Sequence, residues 1–407
     1  MNSVVVIGSG FAGLWAALGA VRRLDELGVP PDAVDVTVLS DKPFHDIRVR
    51  NYEPDLTDCR IPLGAVLDPA GVAHVTATVT GIDSHARTVT MIGVDGQTTT
   101  RGYDRLVVAP GSRVFRPDVP GLAEFAFDVD TYDGATALAD HLAALADTGV
   151  TPLAATAVVV GAGLTGIETA CELPGRLAAV FAGHRVTPRV VLVDHSPAAG
   201  SDMGESARPV IESALVDNGV EVKAGVRVAA IDEGGVVLSS GERIPAATVV
   251  WCAGMRASPL AAQLPVGADR LGRVPVDGYL RVIGVPGVFA AGDVAVARMD
   301  DEHHSVMSCQ HSRPMGRYAG YNVVSDLLGA PMLELRIPWY VTVLDLGPAG
   351  AVYTEGWDRH VVSRGAEAKA TKTTINTARI YPPLDGDRAA LLAAAAPALQ
   401  QRPEVGR

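Results

Sequence analysis

The chain has 407 residues and a formal net charge of −12 at pH 7, without a block rich in lysine or arginine. This charge balance argues against nucleic acid as a partner and against tight electrostatic docking on anionic lipid. The length exceeds what one hydrophobic core supports and predicts two or three α/β units. No uncharged apolar run approaches the roughly 18 residues of a membrane span.

Disulfide chemistry, metal binding and secretion are each disfavoured by the sequence. The four cysteines, Cys59, Cys171, Cys252 and Cys309, are scattered and fit neither a zinc spacing nor a redox pair, so we expect no metal site. The first predicted strand begins by about Ser3, which leaves no space for a secretory signal. We therefore expect a cytoplasmic location.

The first predicted element is a buried parallel strand, Val4-Val5-Val6-Ile7, which runs into a glycine-rich turn and an apolar helix. The turn reads Gly8-Ser9-Gly10-Phe11-Ala12-Gly13. In such a turn the first glycine makes the tight bend, the second lets the backbone approach a pyrophosphate, and the third lets helix pack on strand. Phosphates then bind at the helix N-terminus. The pattern predicts a dinucleotide site.

The next elements complete a first nucleotide-binding unit. Residues 34–39 predict a second parallel strand, and residues 41–69 predict a loop that carries function, because they are rich in proline, charge and aromatics. Alternating residues at 72–80 and 88–92 predict a small additional sheet. A further buried strand ends in the glycine turn Ala109-Pro110-Gly111-Ser112.

A second fingerprint, Gly161-Ala162-Gly163-Leu164-Thr165-Gly166, follows the strand-like run Val158-Val159-Val160 about 150 residues after the first. Strands are predicted at residues 189–193 and 248–251. Two fingerprints in strand–turn–helix context predict that one chain binds two dinucleotides and acts as a redox relay.

The fold class predicted from this order is α/β, with two Rossmann-like domains, the second inserted in the first, and a small C-terminal α+β domain. The predicted boundaries are 1–129 with 261–330 for the first domain, 130–260 for the second and 331–407 for the third. Helices are predicted at 308–328 and, as an Ala/Leu tail, at 389–399.

The motif order resembles that of the two-dinucleotide flavoproteins, the pyridine nucleotide-disulfide oxidoreductase superfamily. This group includes disulfide reductases, ferredoxin reductases, sulfide:quinone reductases and type II NADH dehydrogenases. The similarity spans about residues 3–330, and residues 248–260, TVVWCAGMRASPL, are most similar to the type II NADH dehydrogenases. The resemblance implies FAD on the first fingerprint and NADH, or NADPH, on the second.

Cofactor contacts follow from the resemblance. It assigns them to Gly8, Gly10, Phe11, Ala12, Gly13, Ser40, Asp41, Ala109, Gly111, Gly161, Gly163, Thr165, Gly166, Glu168, Asp194, Gly254, Gly292 and Asp293. Asp293 either binds the FAD ribitol or only caps a helix. Either Ser40 or Asp41 binds the adenosine ribose. Asp194 favours NADH by repelling a 2′-phosphate, a preference that the adjacent His195 weakens. Glu168 either lies near the nicotinamide ribose or is only a favourable negative charge in the first turn of its helix.

The acceptor side is predicted around residues 44–53, with His45, Arg48 and Tyr52 lining the flavin, although these residues could equally form a solvated loop. Type II dehydrogenases place two glutamines near the quinone, and here only Gln310 corresponds. We predict that His311 delivers a proton and Arg48 stabilises charge. A structural role for His311 and a packing role for Cys309, rather than covalent reaction, are the alternatives.

The predicted function is an FAD-dependent NADH oxidoreductase that passes two electrons from NADH to a quinone or quinone-like small molecule. The alternatives are a specialised flavoenzyme acting on a small biosynthetic metabolite and a non-catalytic NADH-sensing flavoprotein. Residues 387–401 contain one arginine and mostly alanine, so stable membrane anchoring is not expected. Apolar residues at 339–346 and the Ala/Leu tail predict a homodimer.

Overall fold

The computed structural model describes residues 1–399 and 402. Within them the strands, numbered along the chain, are β1 Asn2–Ile7, β2 Val34–Ser40, β3 Phe44–Asp46, β4 Arg60–Pro62, β5 Ala73–Asp83, β6 Thr88–Gly93, β7 Thr98–Gly102, β8 Arg105–Val108, β9 Ser112–Val114, β10 Thr156–Val160, β11 Arg189–Val193, β12 Val220–Lys223, β13 Val228–Asp232, β14 Gly235–Leu238, β15 Arg243–Pro245, β16 Thr248–Trp251, β17 Met255–Ala257, β18 Val274–Pro275, β19 Val288–Ala290, β20 Ala295–Val296, β21 Val341–Asp345, β22 Ala351–Glu355 and β23 His360–Gly365.

The helices of the same described residues are α1 Phe11–Glu26, α2 Gly64–Ala70, α3 Leu122–Phe125, α4 Tyr132–Thr148, α5 Leu164–Val180, α6 Gly204–Asp217, α7 Cys309–Leu328, α8 Ala366–Thr374 and α9 Arg388–Ala394. A π-helical turn, Ile375–Arg379, continues α8. The predicted loop at 41–69 is therefore wrong in part, because it contains the antiparallel pair β3–β4 and the helix α2.

The first sheet has the strand order β19-β8-β1-β2-β5-β6-β7. Its β19, β8, β1, β2 and the start of β5 run parallel, whereas β5, β6 and β7 form an antiparallel meander. The β-branched residues of β1 make it a buried central strand, since Val4, Val5 and Val6 are each 0% exposed. The phosphate-binding turn thus starts from the rigid centre of this sheet.

The second sheet, β12-β11-β10-β16, is entirely parallel. Its strands all come from the part of the chain between β8 and β19, which pair with each other in the first sheet. The second unit is therefore inserted in the first, and the predicted α/β fold class is confirmed. The residue limits of the domains stay a prediction.

Helices α1 and α7 pack very closely beside the first sheet. A Cβ atom added at Gly316 would lie 2.3 Å from the carbonyl oxygen of Ala12, and one at Gly320 would lie 2.1 Å from that of Ala16. Glycine is required at both contacts because any side chain would collide with the α1 backbone. This contact fixes the N-terminus of α7 next to the first glycine turn.

The C-terminal part consists of the antiparallel sheet β21-β22-β23 with α8 beside it. Leu344 and Leu346 are 0% and 1% exposed and join the core of the second unit. Two of the apolar residues on which the homodimer prediction rests are thus buried within the chain itself, whereas Leu399 of the Ala/Leu tail is 52% exposed. The homodimer stays a prediction.

The Ala/Leu tail is shorter than predicted, because α9 ends at Ala394. Pro397 disfavours helical geometry in the residue before it, which is consistent with an early end. Residues 400 and 401, the end of the segment 387–401 on which the membrane-anchoring expectation rests, lie outside the described residues. Of the helices described, none combines the length and the apolar character that crossing a bilayer requires.

Candidate functional site

A cavity of about 1600 Å³ opens between the first and the second sheet. Sites for drug-sized ligands occupy roughly 300–1,000 Å³, so this volume accommodates more than one ligand. The predicted cofactor residues on its wall are Gly8, Gly10, Phe11, Ala12, Ser40, Asp41, Ala109, Gly111, Gly163, Thr165, Glu168, Gly254 and Asp293. Both fingerprints therefore face the same space.

The first fingerprint has the shape that a pyrophosphate requires. A Cβ atom at Gly8 would lie 2.3 Å from the carbonyl oxygen of Ala109, and one at Gly13 would lie 1.9 Å from that of Gly8, so both glycines pack inside the turn. By contrast, no atom lies within 4 Å of a Cβ built at Gly10. The second glycine thus opens onto the cavity at the start of α1, where no side chain caps the helix. Backbone N–H groups are left to bind an anion there.

The second fingerprint repeats this arrangement. A Cβ atom at Gly166 would lie 1.7 Å from the carbonyl oxygen of Gly161, and one at Gly161 would lie 2.7 Å from Cα of Ala253. Gly163 again faces open space, and α5 also begins without a side-chain cap. These two glycine turns fit the phosphates of two dinucleotides. The inner glycines Gly13, Gly161 and Gly166 support the turns from behind the cavity wall.

Asp293 lies at the end of the loop after β19, and its carboxylate accepts hydrogen bonds from the hydroxyls of Ser112 at 2.6 Å and Ser312 at 3.2 Å. Gly292, whose φ is +74°, packs against Ala12 and turns the chain so that Asp293 reaches the cavity. A carboxylate in this position can accept a hydrogen bond from a ligand hydroxyl, as the predicted ribitol contact requires.

Arg48 lines the cavity but is held by other groups. Its guanidinium donates to the carbonyl oxygen of Ser112 at 2.9 Å and pairs with Asp130, and it lies 3.9 Å from Asp293. In the structure Arg48 thus ties β9 and Asp130 to the Asp293 carboxylate, and its predicted role in stabilising charge on the acceptor stays a prediction.

The two candidates for the adenosine ribose differ in their surroundings. The Ser40 hydroxyl is 5% exposed and bonds to Ser9 and to the backbone of Lys42, whereas Asp41 is exposed on the cavity wall. Asp41 is thus the more available of the two.

The Asp194 carboxylate, at the end of β11, accepts hydrogen bonds from the backbone N–H groups of Ala162 and Ser196, both at 2.6 Å. It lies behind the cavity wall, beside the second glycine turn.

A buried ion pair that the sequence analysis missed joins α5 to α8 in the cavity wall. Lys372 Nζ lies 2.7 Å from Glu168 Oε1, and their side chains are 11% and 8% exposed. Burial lowers the pKa of Lys372, but attraction to Glu168 outweighs this and holds it above its usual value. Burial in turn raises the pKa of Glu168. Lys372 Nζ also donates to the carbonyl oxygen of Val343, which fixes it in place.

Two histidines predicted for the acceptor pocket do not reach the cavity. His45 is 0% exposed and donates from Nδ1 to the carbonyl oxygen of Ser9, while His311 is 1% exposed and accepts the N–H of Val306. Burial lowers the pKa of each imidazole to about 4. Proton delivery by His311 is therefore wrong on geometry, and its structural alternative holds.

The other predicted acceptor residues do line the cavity. The Gln310 amide donates to the carbonyl oxygen of Trp339 and so ties α7 to the C-terminal part. Tyr52 donates to Asp345, and burial raises its pKa. Burial also raises the pKa of the Cys309 thiol, which keeps it neutral and unreactive and fits the packing alternative. These side chains shape the wall more than they react.

Three comparisons place this geometry among known proteins. A family model described as pyridine nucleotide-disulphide oxidoreductase matches residues 2–316. An NADH dehydrogenase-like protein of Mycobacterium tuberculosis is 72% identical over 404 residues, which cover 99% of this chain and 100% of that protein. A type II NADH:quinone oxidoreductase of the same organism is 33% identical over 328 residues, which cover 72% of this chain and 66% of the relative.

Among solved structures, NDH2 from Plasmodium falciparum in complex with NADH superposes with a TM-score of 0.77 at 12% sequence identity, covering 97% of each chain. At this identity the likeness concerns the fold alone. Together with the sequence relatives it confirms the resemblance that the motif order indicated.

Proposed function

The chain belongs to the pyridine nucleotide-disulphide oxidoreductase family, and we propose that it passes two electrons from NADH through FAD to a quinone or quinone-like organic acceptor. Membership and the close relatives confirm the predicted enzyme class, an FAD-dependent oxidoreductase, and its cofactors FAD and NADH. The nature of the acceptor is the part that we propose.

The observation that carries the proposal is the continuity of the cavity. The first glycine turn, the second glycine turn and a third wall contributed by α7 and the C-terminal part all border one space. The third wall contains Trp339, Tyr340 and Val341, with Ile375 and Ile380 from the turn after α8. Flat aromatic and aliphatic surfaces favour a planar organic molecule over a small ion. A type II relative is named for a quinone acceptor, which agrees with this surface.

Bound FAD supplies hydride acceptance and donation at its ring. The chain supplies position: the starts of α1 and α5 hold the phosphates, and Asp293 holds a hydroxyl of the ribitol. Reduction of a quinone by NADH consumes one further proton, giving hydroquinone and NAD⁺. Lys372, an ammonium on the cavity wall next to Glu168, is the group placed to provide it from Nζ.

The test is anaerobic stopped-flow absorbance of the flavin. The protein is first reduced with one equivalent of NADH and then mixed with menadione, with oxygen or with ferricyanide. We expect reoxidation by menadione to be faster than that by oxygen by roughly tenfold or more, because the aromatic wall positions the ring. If menadione is no faster than oxygen, the acceptor is not a quinone.

The two alternatives give different results in the same experiment. A metabolite-specific flavoenzyme reduces quickly with NADH but reoxidises slowly with every generic acceptor. A sensor retains reduced flavin for minutes and changes its sedimentation coefficient on reduction. Lys372→Met, compared with the exposed control Arg270→Met, should slow only the reoxidation step if Lys372 supplies the proton.

A further inference from the structure

Helix α7 presents two arginines to the cavity, one turn apart. Arg313 and Arg317 both line the cavity, and Arg317 is only 9% exposed. Their guanidinium carbons lie 5.2 and 4.3 Å from the centre of the Trp15 ring, which separates them from the core of the first sheet. Both cations thus lie side by side on the acceptor wall.

Neither guanidinium has a protein partner in the part of the chain that the structure describes. No hydrogen bond and no carboxylate within 4.0 Å involves either group there, and the Nε atoms of both are buried without an acceptor. Two other arginines on the same wall are neutralised, since Arg48 pairs with Asp130 and Arg116 with Asp128. Arg313 and Arg317 differ from these two in having no carboxylate partner among the described residues.

Burial makes this arrangement costly. It lowers the pKa of Arg313 to about 10, and burial together with the neighbouring charge of Arg313 lowers the pKa of Arg317 to about 9. Both remain cationic near neutral pH. Cations removed from water without a partner destabilise a fold unless a ligand supplies the anion. Trp15 offsets part of this through cation–π contact, but it satisfies none of the N–H donors.

Asn51 gives an independent indication of a polar ligand. It is 1% exposed, it lines the same cavity, and neither its amide nitrogen nor its amide oxygen has a partner among the described residues. A buried amide with both atoms unsatisfied is rare in folded proteins. An oxygen-rich ligand group would accept from its nitrogen.

On the basis of the function proposed above, we propose that the organic acceptor carries a carboxylate, which binds to Arg313 and Arg317 with Asn51 nearby. The acceptor is then a ring held by the aromatic wall and an acidic substituent held by the two arginines. A guanidinium binds a carboxylate through two parallel N–H groups, which gives direction as well as affinity. These side chains would set which acceptor enters, without taking part in hydride transfer.

The experiment uses one ring in two charge states. The FAD-loaded protein, reduced by NADH, is mixed with 3-(3-methyl-1,4-naphthoquinon-2-yl)propanoate or with its methyl ester. The loss of a charge-assisted hydrogen bond corresponds to a change of about 10- to 150-fold in binding affinity. At subsaturating concentration we therefore expect the carboxylate to reoxidise the flavin at least tenfold faster than the ester does. The ester mixed with equimolar propanoate should behave as the ester alone; faster reoxidation would mean that the arginines bind a free anion instead.

Variants assign the preference to its residues. Arg313→Met and Arg317→Met should each remove most of the preference for the carboxylate. Arg317→Lys should keep only part of it, because an ammonium retains the charge but not the two parallel N–H groups. The exposed control Arg270→Met should keep all of it. Flavin content and reduction by NADH should not change. Loss of FAD in the methionine variants would mean that the arginines bind the cofactor and would overturn the proposal.

The two proposals fail in different ways. Equal rates for acid and ester in the unmodified protein refute the carboxylate site but leave a quinone acceptor standing. If neither quinone reoxidises the flavin, the quinone function itself fails, and the carboxylate site fails with it. The comparison in the unmodified protein does not depend on whether any variant folds.

Discussion

Breaking the Glu168–Lys372 pair on one side only should destabilise the protein more than removing both charges. Lys372→Met leaves a carboxylate that is 8% exposed without its cation. Removal of one partner from a buried pair costs about 3–5 kcal/mol. Because both side chains border the cavity, water that enters it solvates the remaining charge, and we expect the lower end of that range. The double variant Glu168→Gln with Lys372→Met should cost less than either single change.

The two single variants should respond to pH in opposite directions. In Lys372→Met, burial raises the folded pKa of Glu168 above the ordinary 4.5, so stability is lost as pH rises from 4.5 through the folded value. In Glu168→Gln, burial lowers the folded pKa of Lys372 below 10.5, so stability is lost as pH falls from 10.5 through the folded value. Each unit of pKa shift corresponds to about 1.4 kcal/mol.

Thermal unfolding of the FAD-loaded proteins between pH 5 and 9 measures both effects. A loss of about 3 kcal/mol corresponds to a fall of roughly 6–12 °C in Tm for a cooperative unit of 150–250 residues. Glu367→Gln on the same helix is the control, because Glu367 is exposed and substitutions at exposed positions usually change stability by less than about 0.5 kcal/mol. Parallel pH slopes for the two single variants, or additive losses in the double variant, would refute the reasoning.

Three further predictions concern the cofactor and acceptor residues. Asp293→Ala should weaken FAD binding by about 10- to 150-fold in a fluorescence titration of the apoprotein; unchanged affinity would contradict a ribitol contact. Asp194→Ser should narrow the ratio of flavin reduction rates with NADH and NADPH by roughly tenfold while flavin content stays constant, and equal rates with both donors in the unmodified protein would exclude a role for Asp194. His311→Asn should leave the pH profile of flavin reoxidation between pH 6 and 8 unchanged, because burial holds the pKa of His311 at about 4 and its ring lies outside the cavity; a displaced profile would restore it as the proton donor.

The parts of the fold that local sequence determines were predictable. The strand predicted at 189–193 is β11 with the same limits, because a run of β-branched and aliphatic residues suits a buried parallel strand. The helix predicted at 308–328 begins one residue later, at Cys309, with Ser308 as its N-cap accepting the N–H of His311. Both glycine turns follow from spacing alone, since each glycine has a distinct steric role.

The wrong histidine assignments have a shared physical cause. His45 lies in β3 between Phe44 and Asp46, and alternation along a strand directs those two to the cavity and His45 away from it. His311 follows Gln310 on α7, and one helical step rotates the side chain by roughly 100°. A residue next to a cavity residue in the chain need not reach the cavity itself, because neighbouring side chains in a strand or a helix point in different directions.

Lys372 gave no signal that the sequence analysis could use. It pairs with Glu168 across 204 positions of the chain, and α8 reads AEAKATKTT, a pattern typical of an exposed polar helix. Only the folding of α8 against β21 and β22 removes Lys372 from water. Arg313 and Arg317 could have been singled out from the sequence, because they lie four positions apart on the helix predicted at 308–328, which also carries Gln310.

The insertion of one sheet within another also imposes an order on the formation of the native state. The four strands of the second sheet, β10, β11, β12 and β16, all come from one continuous stretch of the chain. By contrast, the outer edge of β8 is paired only by β19, which follows that stretch. During synthesis all four strands of the inserted sheet therefore precede β19, although the core of that unit still lacks Leu344 and Leu346 from the C-terminal part. Until β19 is made, the edge of β8 at residues 106–108 has no partner strand, and we expect it to be the part of the nascent chain most open to wrong pairing.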